Sequence, residues 1–270
     1  MKRKFASLCL FLVSAFASGQ TSVPAADCAS LTHQALELSG FDLTIDYLTA
    51  SMVSDEFAQK IGGSTQADFT AALKPALQKE FSGELLRREM QRRMVAHCNP
   101  EQMNQTVQRL QSPFISRMLA LEAATNTSEG QEKLKRYINI ANTVPPTDER
   151  MDAIETLDAS AGTSEFVTDF ELAMLRGFMT GAGAPPAVME QIQTRRNEIK
   201  AKRQNYVQLG MNVTYHGVTR PELAQYAREL SAQPLKGFYF QVRKTFVEIV
   251  EEQSRAMGRD LKKALGPPAS

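Results

Sequence analysis

Residues 94–113 read MVAHCNPEQMNQTVQRLQSP, and residues 213–234 read VTYHGVTRPELAQYARELSAQP. Each holds a histidine, a Pro-Glu pair and a second proline about a dozen residues later, and the two stretches lie roughly 120 residues apart. The chemistry of both is that of one helix ending and another beginning. In the first, Asn99 is placed to cap, Pro100 suits the first helical position, and Glu101 suits the positive helix end. In the second, Thr219 and Glu222 form a Thr-x-x-Glu capping box around Pro221. Pro113 and Pro234 open the following helices after tight corners, so that Leu110 and Phe114, or Leu230 and Leu235, turn inward.

Working outward, the apolar spacing is helical and almost nowhere alternates as a strand would. In the first half, a helix over 41–60 carries Ile45, Leu48, Met52, Val53 and Phe57, and Gly62 and Gly63 end it. A helix over 66–96 follows with Phe69, Leu73, Leu77, Phe81, Leu85, Met90 and Met94 on its stripe. Pro75 should kink or break that helix, and Gly83 is a second weak point. In the second half, Phe166, Phe170, Met174, Leu175 and Phe178 form the first stripe, and Gly181, Gly183, Pro185 and Pro186 make the turn. A second long helix then runs from Ala187 towards His216. Break, long helix, histidine, capped short helix and proline therefore recur in one order. The expected fold is all-α, a helical bundle built from two tandem, diverged helical repeats over 20–143 and 144–266. Pro145 and Pro146 mark the linker, a long amphipathic helix over 235–265 packs by its Phe238, Val242 and Phe246 stripe, and residues 267–270 form a disordered tail.

Lys2, Arg3 and Lys4 precede an apolar run from Phe5 to Phe16 with small residues at Ala15 and Ala17, which makes 1–19 a secretory signal peptide. Cys9 sits inside that run behind Leu8 and is not a lipidation site. No other stretch is apolar enough for a membrane span, so the mature chain is expected to be periplasmic or secreted. Cys28 and Cys98 remain, and in an oxidising compartment they most simply pair, with two separate buried thiols as the alternative. Loss of the three N-terminal cations takes 31 basic residues to 28 against 30 acidic ones. That balance argues against a dedicated nucleic-acid binder.

Tyr215, Thr219, Glu222, Leu223 and Tyr226, followed by Phe238, Val242, Ser254 and Gly258, resemble the bacterial domain-of-unknown-function family 2059, best over about 206–260. In the first half, Leu110, Gln111, Ser112 and Pro113 resemble the family's Ser-Pro turn, whereas Gln233 replaces that serine in the second. The resemblance implies an exported helical domain and carries no catalytic residues across.

Two kinds of site are readable. His97 and His216 could meet across a pseudo-twofold and bind a metal with Glu101 and Glu222, although each histidine also suits the negative end of a helix. Ser112 and Ser254 have no nearby histidine and no elbow glycines, so a hydrolytic nucleophile has little to rest on. Arg88, Arg92 and Arg93 share one helix side, as do Arg196, Lys200 and Arg203. These are either solvated faces paired with neighbouring acids or a surface for an anionic envelope component or acidic partner. Nothing in the pattern calls for a cofactor. The leading reading is a non-enzymatic binding or interaction module of the bacterial envelope, and the alternative is a periplasmic metal-dependent or hydrolytic enzyme using the repeated histidines.

Overall fold

The computed structural model describes residues 27–54, 67–141 and 144–265. The signal segment, the tail and the expected helix end at Phe57 to Gly63 lie outside the described residues. The helices are α1 (Cys28–Leu38), α2 (Phe41–Met52), α3 (Ala67–Glu80), α4 (Gly83–Ala96), α5 (Pro100–Leu110), α6 (Pro113–Thr125) and α7 (Ser128–Ala141). They continue as α8 (Asp148–Ala161), α9 (Thr163–Ala182), α10 (Pro186–Thr194), α11 (Arg196–Thr214), α12 (Arg220–Ser231) and α13 (Leu235–Leu265). The fold is all-α, and no strand occurs among the described residues.

The spine is α13. It lies most extensively along α9 and also packs on α3, α4, α5 and α12, so residues from both halves close over one stripe. Phe246 is its centre. Its ring meets Phe41 edge-on at 5.2 Å, stacks on Phe170 at 6.1 Å and tilts against Phe166 at 6.0 Å. Burying a side chain of this size contributes on the order of 1.5–3 kcal/mol. Farther along, α9 and α13 approach until backbone meets backbone. A Cβ on Gly177 would lie 2.8 Å from the Ser254 Cβ, and one on Gly258 would lie 2.9 Å from the Ala182 nitrogen.

Neighbour relations recur between the halves. α1 packs on α2, α4 and α5, as α8 packs on α9, α11 and α12, and α2 meets α4 as α9 meets α11. The likeness stops at the last helix of each half, because α6 packs on α7 and α11 where α13 gathers the core.

Local signals in the two opening stretches operate as read. Asn99 Oδ1 accepts from Gln102 N at 3.0 Å, and the Thr219–Glu222 capping box is complete. Of the two weak points in the first long helix the break falls beside Gly83, and two further expectations are corrected. Pro75 lies inside α3 without ending it, because both it and Ala71, whose carbonyl loses a donor, are exposed to water. The break falls at Ser82, whose hydroxyl accepts from Leu85 N at 3.2 Å and starts α4 at Gly83. Gly181 stays within α9, and Gly183 makes the turn with φ 82. The second long helix divides at Arg195, and α11 ends at Thr214, which puts His216 beyond the helix.

Candidate functional site

Glu122 is the one charged residue in the run Met118 to Ala124 of α6. Tyr215 follows α11 and is set in place through its backbone. Arg150 donates from Nη2 to the Tyr215 carbonyl at 2.7 Å, from Nη1 to the Val218 carbonyl at 2.7 Å, and from Nε to Asn212 Oδ1 at 2.8 Å. Tyr226 lies on α12, placed by the capping box one to two turns earlier. The hydroxyls of Tyr215 and Tyr226 both donate to Glu122 Oε1, at 2.6 and 2.7 Å, and their rings meet edge-on at 6.0 Å.

These groups border a cavity of about 430 Å³ enclosed by α2, α6, α8, α9, α11, α12 and α13. Phe41, Leu48, Phe166, Val167, Leu230 and Val242 give it apolar walls. On the α13 side, Lys236, Tyr239 and Arg243 line it at spacings of three and four, one side of a helix. The Tyr239 hydroxyl is buried and has no hydrogen-bond partner among the described residues. Arg243 is half-buried and forms no hydrogen bond or ion pair among them either. Its guanidinium passes over Gly162, where an added Cβ would come within 2.6 Å of Nη1. Gly162 has φ 64 and is the corner between α8 and α9, so both its conformation and its missing side chain make room for the cation. Asp158 holds the same corner by accepting from Ser164 N at 2.9 Å and Ser164 Oγ at 2.6 Å.

Burial pushes the Glu122 carboxyl above the usual carboxylate range, against the opposing pull of the two tyrosine hydroxyls. Burial, with the Glu122 charge beside them, holds Tyr215 and Tyr226 well above the ordinary phenol value. It also raises Tyr239 and works against the charge of Arg243. The arrangement fills one oxygen of the acceptor on α6, Oε1, and leaves the donors of Tyr239 and Arg243 on α13 unfilled among the described residues.

A pH dependence follows. A carboxyl raised in the folded state holds its proton more tightly there than when unfolded. Its stabilising contribution is full below the unfolded value and is lost as pH rises through the folded one. Glu122→Gln keeps an acceptor but removes the ionisation. In urea unfolding the stability of Glu122→Gln relative to the native chain should rise as pH is raised above about 4, the ordinary carboxyl value. A difference that does not change with pH would contradict the raised value.

The residues expected from the sequence lie elsewhere. Cys28 and Cys98 form a disulfide with Cα atoms 5.9 Å apart. His97 caps the end of α4 and borders a groove of about 450 Å³ between α4 and α13, with Arg92, Arg93, Lys244, Glu248 and Glu252. His216 lies in the α11–α12 turn. Glu222 is engaged by Thr219 and by Arg117 Nη2 at 2.6 Å, contacts that hold its carboxyl down at about 2. Glu101 is exposed in the first turn of α5. Among the described residues no three His, Cys, Asp or Glu side chains come together as a metal site, so the four-residue set is not assembled there.

Of the basic residues, Arg92 pairs with Glu89 at 2.7 Å and Arg93 with Glu252, Nη1 to Oε1 at 3.1 Å. Arg196 bridges Glu165 at 2.7 Å and Asp169 at 2.8 Å, Lys200 also takes Glu165, and Arg203 takes Glu171 at 2.6 Å. These bonds tie α11 to α9. Arg88 is exposed and makes no ion pair among the described residues.

Sequence reasoning missed Glu122, Tyr239 and Arg243. A usable signal existed, since each places a polar group on an otherwise apolar helix side. Comparison of the chain with family models, curated proteins and solved structures finds no match.

Proposed function

We propose that this chain is an exported, non-enzymatic binding protein of a bacterial periplasm or exterior, and that the cavity beside Glu122 and Arg243 takes a small ligand. The cavity itself carries the reading. Its volume falls in the range of small-molecule sites, its walls are apolar, and it holds a cation and a hydroxyl without partners among the described residues. Polar groups left so are costly unless something satisfies them.

Export is supported by the charged and apolar pattern of the first residues and by the disulfide, a bond that persists in oxidising compartments. The recurring neighbour relations support reading the halves as diverged copies, with the cavity where they meet. The likeness of residues 206–260 to the exported family 2059 agrees with both. The enzyme alternative built on His97 and His216 has less behind it, because Glu222 is engaged by Thr219 and Arg117 and the four-residue set is not assembled among the described residues.

The test is thermal. A ligand at about a hundred times its Kd adds about 2.7 kcal/mol, which raises the Tm of a chain this size by roughly 5–10 °C. A panel of small amphiphiles applied to the mature protein should contain members that do this. Val167→Trp, which fills the cavity, should remove the shift while the chain stays folded by circular dichroism. No shift from any member, or an undiminished shift in Val167→Trp, would overturn the reading.

A further inference from the structure

We propose that the ligand is a monocarboxylate with an apolar body, its carboxylate held by Arg243 and Tyr239 and its body lying against Phe166, Val167 and Leu230. This rests on the cavity being the binding site and names the chemistry it selects.

The argument starts from what is unfilled. A guanidinium carries five N–H donors and no acceptor, and none of those of Arg243 has a partner among the described residues. One turn earlier on the same helix side, the Tyr239 hydroxyl is buried and equally without a partner. Two donor groups therefore lie beside one region of the cavity, the guanidinium lining it and the hydroxyl buried in its wall. Glu122 does not satisfy them: its hydrogen bonds among the described residues are those from Tyr215 and Tyr226, and neither Tyr239 nor Arg243 bonds to it. What fits is an acceptor with two oxygens in a plane, the geometry that matches a guanidinium fork.

Charge sets the rest. The titratable groups facing the cavity are Lys236, Arg243 and Glu122, with the phenols of Tyr47, Tyr215, Tyr226 and Tyr239. Tyr47 is occupied in donating to Gln131 Oε1 at 3.0 Å. Lys236 is exposed, which leaves Arg243 as the half-buried cation. One half-buried cation balances one negative charge, so a monoanion is favoured over a phosphate dianion. A cationic ligand would meet two cations on α13 to reach one carboxylate already bonded. The remaining walls are apolar, so the body of the ligand should be hydrocarbon or aryl.

Calorimetric titrations of the mature full chain at neutral pH test this with decanoate, 2-naphthoate, decanol and decyltrimethylammonium as probes. A carboxylate should bind at least tenfold more tightly than decanol, and decyltrimethylammonium more weakly than either. The better of decanoate and 2-naphthoate tells a linear body from a flat one. Arg243→Gln should weaken carboxylate binding tenfold to a hundredfold and leave decanol within about threefold. Tyr239→Phe should weaken it severalfold. Should Arg243→Gln not fold, Arg243→Lys keeps the charge without the fork and should still lose about tenfold. Decanol or the ammonium binding as well as the carboxylates, or carboxylate binding indifferent to Arg243, would overturn the carboxylate assignment. If that binding is still lost in Val167→Trp, the cavity reading survives it. If no probe binds, the carboxylate assignment falls, and only the wider amphiphile panel then decides the cavity. Carboxylate binding undiminished in Val167→Trp would place the site elsewhere and overturn both.

Discussion

Replacing both Cys28 and Cys98 by serine should cost the folded chain about 4 kcal/mol, measured as the difference in urea unfolding free energy. The bond joins the first residue of α1 to the link between α4 and α5, across a sequence separation of 70. In the chain-entropy account, a cross-link over such a loop restricts the unfolded chain by that amount. The double replacement avoids leaving a reactive thiol. For a domain of this size, a loss of this order lowers Tm by roughly 8–16 °C. The effect should begin at α1, whose buried Leu31, Ala35 and Leu36 rest on α5 and α4 and whose start is otherwise held by the Asp27 cap and by Gln91 Nε2, which donates to the Ala29 carbonyl at 2.8 Å. Hydrogen exchange should show α1 opening first in the variant. Equal stability of the oxidised protein and the double-serine variant would mean that α1 is held by packing alone.

Gly181→Val should cost about 3 kcal/mol or more, although intrinsic helix propensity favours the change. Gly181 lies in the interior of α9, and a Cβ there would run into the Arg255 carbonyl of α13. Backbone cannot swing away as a long side chain can, so the helices must separate. Separation would be felt along the seam, because Gly177 faces Ser254, and Gly258 faces Ala182 in the same way. It would also loosen Phe246 against Phe166 and Phe170, a short distance along the same pair of helices. The opposed signs make the measurement decisive. A propensity effect alone would stabilise the variant by about 0.2–0.4 kcal/mol, and that result would refute the close approach.

How much of this was legible in the chain differs by element. Helix starts at Asn99 and Thr219 were legible because a cap is decided within four residues. The break at Ser82 was harder. Proline and glycine signals stood eight residues apart, and only the exposure of Pro75 and Ala71, a tertiary fact, decides which of them ends a helix. Gly181 misled for a related reason. A glycine before Gly-x-Pro-Pro reads as part of a turn, but its missing side chain is used for contact with a helix some seventy residues later. The basic cluster at Arg196, Lys200 and Arg203 was seen as a face, but its acids sit on α9, about thirty residues earlier, beyond any spacing within one helix. The cavity is the extreme case. Tyr239 and Arg243 interrupt an apolar stripe visibly enough, but that Glu122 would be satisfied by tyrosines and not by Arg243 depends on how seven helices enclose a space.

The place of α13 at the end of the described chain bears on the order of assembly. A polypeptide is made from its N-terminus, so both cysteines precede by well over a hundred residues the helix on which α3, α4 and α9 close. The cross-link can therefore form while the apolar sides of those helices still lack their common partner. On that schedule the bond is a tie on an unfinished assembly. Ring closure comes early and cooperativity comes late, when the residues from Leu235 onwards thread Phe246 between Phe41, Phe166 and Phe170.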